Sequence, residues 1–374
     1  MKHLLLLGGG HAHVHVLKHL AQQPLPGVQV TLVTPFERQL YSGMVPGLVA
    51  GHYRAQDCAI ALRPLADAAG VVFTRASAVH LDAAARRVML SDGSVLNYTF
   101  LSLDIGAVMH RDAMPGAAEH ALFVRPIEEF VRALDGLWAR AAQRRMRVAL
   151  VGAGAAGVEL ALAVQHRLGR SRHGVELSLV TGGTAPLEGY APAVMARVAR
   201  TLAAHRVVVL RQGAVALHSD ALVLADGKRL PCDAAVLATG AQAPHWLQTS
   251  GLALDAKGFV LTTATLQSLS HADVFAVGDI ATRQDQPHAK SGVYAVRSGP
   301  PLAANMQRAL VGQPLLAHQP PKRTLNLVSC GERSAIAAWG RWSAQGRCVW
   351  ALKDRIDRGF VARYSARGVV NPSA

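Results

Sequence analysis

Residues 148–164 read VALVGAGAAGVELALAV, an apolar run that passes through a glycine turn into a helical pattern. Gly152, Gly154 and Gly157 complete a GxGxxG motif between a strand and a helix. The first glycine of such a motif allows a tight turn, the second lets the backbone approach a pyrophosphate, and the third lets helix and strand pack closely. A further apolar run, Val175–Val180, completes a βαβ unit. This stretch therefore predicts a dinucleotide site.

A weaker copy of the same pattern begins the chain. The apolar run His3–Leu7 leads into three glycines at 8–10, a helical stretch and a second apolar run, Val28–Val33. His13 stands where the third glycine of the motif belongs, which leaves the distance between helix and strand open. Residues 70–104 and 207–238 both read as short antiparallel strands with Asp-Gly turns. The two halves of the chain therefore predict the same architecture twice.

The composition limits the class of protein. The chain has 374 residues, of which 51% are hydrophobic and 17% charged, which excludes a disordered or collagen-like protein. This length predicts two or three domains. The net charge of +15 favours an anionic partner such as a phosphate-bearing ligand, an acidic membrane surface or nucleic acid. Because aromatic residues make up only 5% of the chain, we expect no nucleic-acid partner.

The cysteines indicate a reducing compartment. Cys58, Cys232, Cys330 and Cys348 are scattered without a CxxC pair, which excludes a disulfide scaffold and a zinc knuckle. No signal-peptide pattern precedes the first apolar run, and the glycines and Glu159 of the central motif argue against a membrane span there. We therefore expect a cytoplasmic protein.

Four histidines lie on the first predicted helix, namely His11, His13, His15 and His19. Some of them have the i, i+4 spacing of paired metal ligands. No cysteine or carboxylate accompanies them, and they fall on a phosphate-binding helix, so the sequence predicts no metal site.

The choice between NAD and NADP stays open. The second strands of the two units end in Val33-Thr34-Pro35 and Val180-Thr181-Gly182, without the acidic residue that holds an adenosine ribose. No nearby arginine clearly reads a 2′-phosphate.

A late strand points to a flavin. Residues 275–279 read FAVGD, an apolar strand that ends in Gly278 and Asp279. A carboxylate at that end can accept hydrogen bonds from a polyol chain such as ribityl. Combined with two βαβ units, this strand favours a flavin over other nucleotides.

Five motifs follow one another along the chain: the N-terminal glycine run, LDIG at 103–106, GAGAAG at 152–157, LATG at 237–240 and VGD at 277–279. In this order they resemble the pyridine nucleotide–disulfide oxidoreductase superfamily over nearly the whole chain, and within it the type II NADH dehydrogenase-like branch. LYSGMVPG at 40–47 and WALKDRID at 350–357 are similar to a flavoprotein module that is sometimes joined to selenophosphate synthetase.

The resemblance implies an α/β fold with two Rossmann-type dinucleotide-binding domains, arranged as in glutathione reductase, plus a small C-terminal unit. The FAD-binding domain would comprise residues 1–110 and 265–321, and the NAD(P)H-binding domain residues 111–264. Residues 322–374 would form a C-terminal interface or membrane-proximal unit.

The resemblance also implies FAD as cofactor, NADH or NADPH as co-substrate, and the residues that hold them. Those implied for FAD are Gly8, Gly10 and His11 at the pyrophosphate, Thr34 and Arg38 near the adenosine ribose, Val79 at the adenine, Asp279 at the ribityl chain, and Gly106, Gly278, Gly292 and Val293. Those implied for NAD(P)H are Gly152, Gly154, Ala155, Gly157 and Gly240. The helix that begins near Ser291 would aim its N-terminus at the flavin, and Gly299-Pro300-Pro301 should kink or restart it.

Glu159 is the candidate catalytic residue, because the resemblance places it near the stack of nicotinamide and flavin. The alternative is a first-turn carboxylate that the helix dipole favours.

The activity that the resemblance implies is transfer of a hydride from NAD(P)H to the flavin and of two electrons onward to a second acceptor, with a quinone expected. One alternative is a sulfide- or selenium-compound:quinone oxidoreductase, although the chain lacks the CxxxxC pair of disulfide reductases. Another is a flavin-bearing partner of a selenium-handling enzyme with little turnover of its own.

The C-terminal region predicts a basic amphipathic helix over residues 350–367. Leu352, Ile356 and Phe360 recur every four residues, and the basic residues, up to Arg367, outnumber the acidic ones. Such a helix can lie in an anionic membrane interface. Alternatively, its apolar residues pack on the flavin domain or on a second copy of the chain in a homodimer.

Overall fold

The computed structural model describes residues 1–365 of the chain. The helices are α1 (His11–Gln22), α2 (Val45–Val49), α3 (Leu62–Ala68), α4 (Ala117–His120), α5 (Ile127–Ala141), α6 (Ala155–Gly169), α7 (Pro192–Ala204), α8 (Gly292–Leu310) and α9 (Arg347–Arg363). Short 3₁₀ helices span Ser42–Met44, Ala55–Cys58, His245–Thr249 and Gly278–Ile280.

The strands are β1 (Lys2–Leu7), β2 (Val28–Val33), β3 (Arg38–Leu40), β4 (Ala59–Ala61), β5 (Val72–Thr74), β6 (Ala78–Asp82), β7 (Arg87–Leu90), β8 (Val95–Asn97), β9 (Phe100–Leu103), β10 (Ala121–Phe123), β11 (Met146–Val151), β12 (Val175–Val180), β13 (Val208–Leu210), β14 (Ala214–Leu217), β15 (Ala221–Leu224), β16 (Arg229–Pro231), β17 (Ala234–Leu237), β18 (Val260–Thr262), β19 (Val274–Ala276), β20 (Ala281–Arg283), β21 (Asn326–Ser329), β22 (Ala335–Trp339) and β23 (Trp342–Gly346).

The first large sheet is parallel, in the order β19-β9-β1-β2-β5. Its central strand β1 pairs in register with β2 on one side and β9 on the other, so that Leu7 lies opposite Val33 and Leu103. Leu4 to Leu7 are fully buried, as expected for a central parallel strand. The loops after β1, β9 and β19 consequently leave the sheet at one common edge.

The second large sheet repeats the first. Its order is β10-β17-β11-β12-β13, again parallel, with β11 in the place of β1 and β12 in the place of β2. A three-stranded antiparallel sheet is inserted in each half, β6-β7-β8 and β14-β15-β16. The two predicted βαβ units and the matching insertions are therefore confirmed.

His13 accounts for how the first unit closes without its third glycine. The imidazole is fully buried between α1 and the sheet. Its Nδ1 lies 2.6 Å from the Gly8 carbonyl oxygen, and its Nε2 lies 2.8 Å from the Ser102 hydroxyl. The imidazole, hydrogen-bonded at both ring nitrogens, thus fills the space between helix and strand where a third glycine would have allowed direct contact.

Helix α8 runs without a break through Gly299, Pro300 and Pro301, so it does not restart here, and the predicted alternative of a kink stays a prediction. A proline's φ is compatible with helical geometry, and the cost is the missing N–H donor. Gly299 serves a different purpose, because α8 crosses α1 closely here. A Cβ at Gly299 would lie 2.7 Å from the Cβ of His15.

The C-terminal unit consists of the antiparallel sheet β21-β22-β23 followed by α9. Helix α9 buries Lys353, Asp357 and Phe360. Leu352 and Ile356 are each 47% exposed, so of the predicted apolar stripe only Phe360 packs inward. The buried face of α9 is thus centred on an ion pair, while two large apolar side chains face solvent. Arg367 and the rest of the predicted helix beyond residue 365 lie outside the described residues.

In the part of the chain that the structure describes, no helix has both the length and the apolar character needed to cross a membrane.

Replacing His13 by alanine should destabilise the protein, because the Gly8 carbonyl and the Ser102 hydroxyl would be left unpaired beside a cavity. At neutral pH we expect a loss of about 2–4 kcal/mol in the free energy of unfolding, measured by urea titration. The exposed His218, replaced in the same way, is the control and should cost less than about 0.5 kcal/mol.

The difference in the free energy of unfolding between wild type and His13→Ala should depend on pH. Burial lowers the pKa of His13 to about 4, from an ordinary value of 6.5. On acidification the unfolded chain therefore takes up this proton first, so the stabilisation from His13 is complete above the unfolded pKa and is lost as the pH falls towards the folded pKa. The difference between wild type and His13→Ala should shrink over this window. A difference that stays constant would contradict the burial of a neutral imidazole.

Candidate dinucleotide sites

Two of the three glycines in the turn before α6, Gly152 and Gly157, leave no room for a side chain. Gly152 has φ of +139°, and a Cβ there would lie 2.3 Å from the Ala238 carbonyl oxygen. A Cβ at Gly157 would lie 2.1 Å from the Gly152 carbonyl oxygen, so helix and strand are in direct contact. Gly154 caps the helix and faces open space. Gly152 and Gly157 thus lie against neighbouring protein atoms, whereas Gly154 leaves space for a ligand.

The N-terminus of α6 is available to an anion. Val158 makes the first intrahelical bond, donating to the Gly154 carbonyl oxygen. Among residues 1–365, the amides of Ala155, Ala156 and Gly157 donate to no acceptor. Gly240, after β17, also faces open space. Exposed amides at a helix N-terminus are the donors that a pyrophosphate requires.

The N-terminus of α1 is arranged differently. Asp104, which follows β9, accepts hydrogen bonds from the amides of Ala12 and His13 at 2.8 and 2.9 Å. A Cβ at Gly10 would lie 2.3 Å from this carboxylate, and one at Gly8 would lie 2.4 Å from the Asp104 carbonyl oxygen. The two glycines are therefore required by Asp104 as well as by a ligand.

Asp104 leaves part of the glycine turn free. Within the described part of the chain, the amides of Gly9, Gly10 and His11 donate to no acceptor. These three amides are donors that could hold a pyrophosphate. Sequence reasoning missed Asp104 as a site residue, although it stands in the LDIG motif.

Burial shifts the ionisation of this site. Loss of hydration raises the pKa of Asp104 to about 6, opposed by its two backbone hydrogen bonds and by His11. Burial lowers the pKa of His11, with the carboxylates of Asp104 and Asp279 acting in the other direction. The polar groups at the edge of the first sheet are thus close enough to influence one another.

The third loop at this edge carries Asp279. Gly278 has φ of +70°, and a Cβ there would lie 2.9 Å from a carboxylate oxygen of Asp104. Asp279 forms an ion pair with Arg125, at 2.8 Å. Arg125 lies just before α5 and was not singled out from the sequence. It is a cation that a phosphate or a ribityl chain at this edge would meet.

The other predicted flavin residues lie on several elements of the first half. Helix α8 begins at Gly292 and Val293, and a Cβ at Gly292 would lie 3.2 Å from the Ser42 hydroxyl. Thr34 is buried at the end of β2, and Arg38 begins β3.

Two more predicted flavin contacts lie on or after the strands of this half. Val79 is exposed on β6, and Gly106 follows β9 with φ of +69°. Their roles at a flavin stay predictions.

Glu159 lies where α6 meets the C-terminal unit. Its Oε1 accepts the backbone N–H of Ser329 at 2.7 Å. Burial raises the pKa of Glu159, and the charge of Lys353 opposes this rise. The sequence presented Glu159 as either a catalytic group or a helix-capping group. Glu159 is the fifth residue of α6, beyond its first turn, so the predicted first-turn carboxylate is wrong. Its partner comes from β21, in the C-terminal unit, and its catalytic role stays a prediction.

Lys353 connects the C-terminal helix to the first domain. Its ammonium donates to the Gly43 carbonyl oxygen at 2.6 Å and to Asp357 at 2.5 Å. Burial raises the pKa of Tyr41, and the charge of the nearby Asp357 raises it further. Burial raises the pKa of Asp357, and Lys353 opposes the rise. The LYSGMVPG and WALKDRID segments, far apart in sequence, therefore meet in one buried polar cluster.

Aromatic rings extend this contact. Tyr41 stacks on Phe360 with a centroid distance of 4.4 Å, and His11 lies 5.4 Å from Tyr41 and 5.9 Å from Phe360. His11, the first residue of α1, is thus held at the junction of the glycine turn with α9.

The remaining histidines of α1 have separate partners. His15 reaches the Tyr364 hydroxyl at 3.2 Å, and His19 reaches Gln307 at 3.2 Å. No group of three His, Cys, Asp or Glu side chains in residues 1–365 is arranged to hold a metal ion.

The four cysteines are unpaired thiols, with Cys348 exposed and the other three buried. Burial raises the pKa of Cys58 and of Cys330 to about 12. Both side chains are therefore neutral thiols at physiological pH and are poor nucleophiles.

Two equivalent parallel sheets, each with a glycine turn at its carboxyl edge, define an oxidoreductase with two dinucleotide folds. Comparison with known proteins gives the family. The chain belongs to the pyridine nucleotide-disulphide oxidoreductase family, whose profile matches residues 2–309.

Individual relatives agree with this assignment. The chain is similar to the NADH dehydrogenase-like protein YutJ of Bacillus subtilis (strain 168), with 24% identity over 95% of this chain and 98% of that one. It is also similar to the demethylphylloquinone reductase NdbB of Synechocystis sp., with 24% identity over 88% and 85% of the two chains. Among solved structures, the sulfide:quinone oxidoreductase of Aquifex aeolicus superposes with a TM-score of 0.81 at 17% identity, over 99% and 93% of the two chains.

The chain is accordingly an FAD-dependent NAD(P)H oxidoreductase of the NADH dehydrogenase-like branch. The residues of both glycine turns fit these groups. Each turn has backbone amides that donate to no acceptor in the described residues and are available to a ligand. At Gly8, Gly10, Gly152 and Gly157 a Cβ would clash with neighbouring protein atoms.

Two neighbouring glycines should separate folding from nucleotide binding. Gly154→Ala adds a methyl group to open space, so we expect normal stability but a KM for NADH or NADPH raised about tenfold, because the methyl group meets the pyrophosphate. Gly157→Ala places a methyl group against the Gly152 carbonyl, so its main effect should be a lowered melting temperature. Equal effects of the two variants on KM and melting temperature would contradict this division.

Proposed function

We propose that the protein transfers two electrons from NAD(P)H through FAD to a quinone. The observation that carries the choice of acceptor is the set of ionisable groups Glu159, Lys353 and Asp357, whose charges influence one another, together with neutral thiols at Cys58 and Cys330. A quinone that accepts two electrons also takes up two protons, and groups with shifted pKa values suit that need. The relative named as a demethylphylloquinone reductase supports the same choice.

We assign the first glycine turn to FAD. Gly8, Gly10 and His11 would face its pyrophosphate, and Asp279 its ribityl chain, with Arg125 as an additional cation. Thr34, Arg38, Val79, Gly106, Gly278, Gly292 and Val293 complete the proposed set. When bound, FAD supplies the hydride acceptor and the two-electron donor of the reaction. Residues 1–110 and 265–321 form the proposed FAD-binding domain.

We assign the second turn to NAD(P)H, with Gly152, Gly154, Ala155, Gly157 and Gly240 around the nucleotide. Residues 111–264 form the proposed domain, and residues 322–374 the C-terminal unit.

Glu159 is the proposed proton-holding group beside the reacting rings. Glu159 is the fifth residue of α6, the helix whose N-terminus is the proposed NAD(P)H site, and its bond from Ser329 fixes the carboxyl group. A raised pKa lets the Oε atoms hold a proton more readily than an exposed carboxylate. The charge of Lys353 opposes the rise in the pKa of Glu159, and its ammonium donates a hydrogen bond to Asp357.

The sulfur alternative lacks a thiolate. Sulfide and selenium chemistry at a flavin requires a reactive thiol, and the buried Cys330 near Glu159 has its pKa raised by burial first and by Glu159 second. A neutral thiol in this place does not support that chemistry.

An anaerobic titration tests the proposed function. The purified protein should be yellow with non-covalent FAD, NADH or NADPH should bleach the flavin, and a water-soluble quinone should restore the colour. A variant with all four cysteines replaced by alanine is the control and should keep its rate within about twofold, because no thiolate is involved. Bleaching by sulfide but not by NAD(P)H would contradict the proposal, and so would a reduced flavin that quinone does not reoxidise.

We further propose that the exposed face of α9 docks on an anionic membrane surface, where quinones dissolve. Leu352 and Ile356 are both exposed on this face, and Arg355 and Arg363 lie on the same face at helical spacing. Exposed apolar residues flanked by cations are typical of helices that lie in a membrane interface.

Co-sedimentation with anionic vesicles tests this docking. We expect the protein to bind vesicles at low salt, to release at high salt, and to lose binding in the variant Leu352→Asp/Ile356→Asp. Leu269→Asp, at another exposed leucine, is the matched control. Point variants are preferable to truncation, because removing α9 also removes Lys353 and Phe360 from the core. Equal vesicle binding by the double variant and the control would contradict the proposal.

A further inference from the structure

A second cleft lies away from both glycine turns. It has a volume of about 920 Å³ and lies between five parts of the chain: the segment after α2, the C-terminal end of α6, the C-terminal end of α7, the turn between β21 and β22, and the start of α9. Its lining is polar, with Ala50 as its one aliphatic side chain. It therefore offers no place for an acyl chain or another large apolar group.

The cleft concentrates positive charge. Arg170, Arg333 and Arg347 line it together with His52, His166 and His205, and Glu332 is the one carboxylate in the lining. No carboxylate in residues 1–365 forms an ion pair with any of these three arginines. By contrast, Asp233 pairs with both Arg144 and Arg147 elsewhere on the surface. The cations of the cleft thus converge without internal neutralisation.

Helix dipoles account for the position of only one of the three arginines. Arg170 follows the C-terminal end of α6, where a cation is favoured. Arg347 is the first residue of α9, where the dipole disfavours a cation. Arg333 stands in a turn, with its guanidinium 5.4 Å from the ring centroid of Trp350. Local secondary structure therefore does not account for Arg333 and Arg347 at this position.

His166 lies among these positive charges. His52 and His166 lie 5.1 Å apart between ring centroids. Burial lowers the pKa of His166, and His52 and Arg170 lower it further, so the imidazole resists adding another positive charge. An anion in the cleft would reverse this influence.

We propose that this cleft binds a small soluble molecule that carries at least two phosphoryl groups. Arginine forks match phosphate oxygens in geometry and charge. The cleft is much larger than one phosphate needs, and its cations come from several elements, so a polyphosphate spans them better than a single anion. The polar lining of the cleft excludes a membrane lipid whose acyl chains would have to lie alongside.

The cleft is linked to the nucleotide site by one short segment, residues 329–334. Ser329 donates its amide to Glu159, and the carbonyl oxygen of Gly331 accepts a hydrogen bond from His52 Nε2 at 2.8 Å. Arg333 and Ser334 then line the cleft. A polyphosphate held by Arg333 would therefore fix the segment that positions Glu159.

Isothermal titration of the FAD-loaded, full-length protein with sodium tripolyphosphate tests the site, with NAD⁺ present in excess to occupy the nucleotide turn. We expect one molecule bound per chain, and at least about tenfold weaker binding by Arg170→Gln/Arg333→Gln, because each lost charge-assisted contact is a large share of the affinity. Arg347→Glu is an independent variant and should weaken binding by a similar factor. Retained flavin absorbance shows that each variant is folded.

Arg132→Gln is the matched control, since it removes a positive charge from α5, outside the cleft. Its affinity should stay within about twofold of wild type, because general surface charge contributes little to a specific site. The proposal is overturned if wild type binds no tripolyphosphate, or if the control weakens binding as much as the cleft variants do.

Discussion

The first half of the molecule depends on one buried carboxylate. Asp104 accepts two backbone N–H groups from the first turn of α1, and it leaves no room for a Cβ at Gly10 or Gly278. It thereby fixes the loops that follow β1, β9 and β19, which are the three loops at the carboxyl edge of the first sheet. A buried carboxylate is costly unless hydrogen bonds compensate it. The helix N-terminus supplies that compensation, and the remaining amides of the turn stay free for a phosphate.

The two halves solve the same packing problem by different means. In the second half, Gly157 allows helix and strand to touch, and the whole N-terminus of α6 stays open. In the first half, His13 fills the gap with a ring that bonds Gly8 and Ser102, and Asp104 occupies part of the helix N-terminus. The more open second turn suits a co-substrate that binds and leaves at every turnover. The first turn, with more fixed polar groups, suits a cofactor that remains bound.

The C-terminal unit joins these halves and supplies the polar cluster between them. Helix α9 brings Lys353 and Asp357 to Gly43 and Tyr41, while β21 brings Ser329 to Glu159. A buried ion pair contributes little net stability by itself, because the desolvation of both charges offsets their attraction. The pair therefore fixes how α9 meets the Gly43 segment more than it adds to stability. The same unit also forms part of the cationic cleft, through Arg333 and Arg347.

The sequence by itself determined the architecture, because a glycine turn between an apolar run and a helical pattern is typical of a nucleotide-binding βαβ unit. It located both βαβ units, with β2 and β12 at the predicted residues, and the start of α8 near Ser291. It could not determine how His13 fits between helix and strand in place of the third glycine, since one hydrogen-bond partner of His13 lies on a different strand. Nor could it assign Asp104, Arg125 or Lys353, whose partners are distant in the chain. On α9, periodicity identified an apolar stripe, but packing buried the charged pair and left Leu352 and Ile356 exposed. Local patterns specify local structure, whereas the contacts that tune a site form only when remote segments pack together.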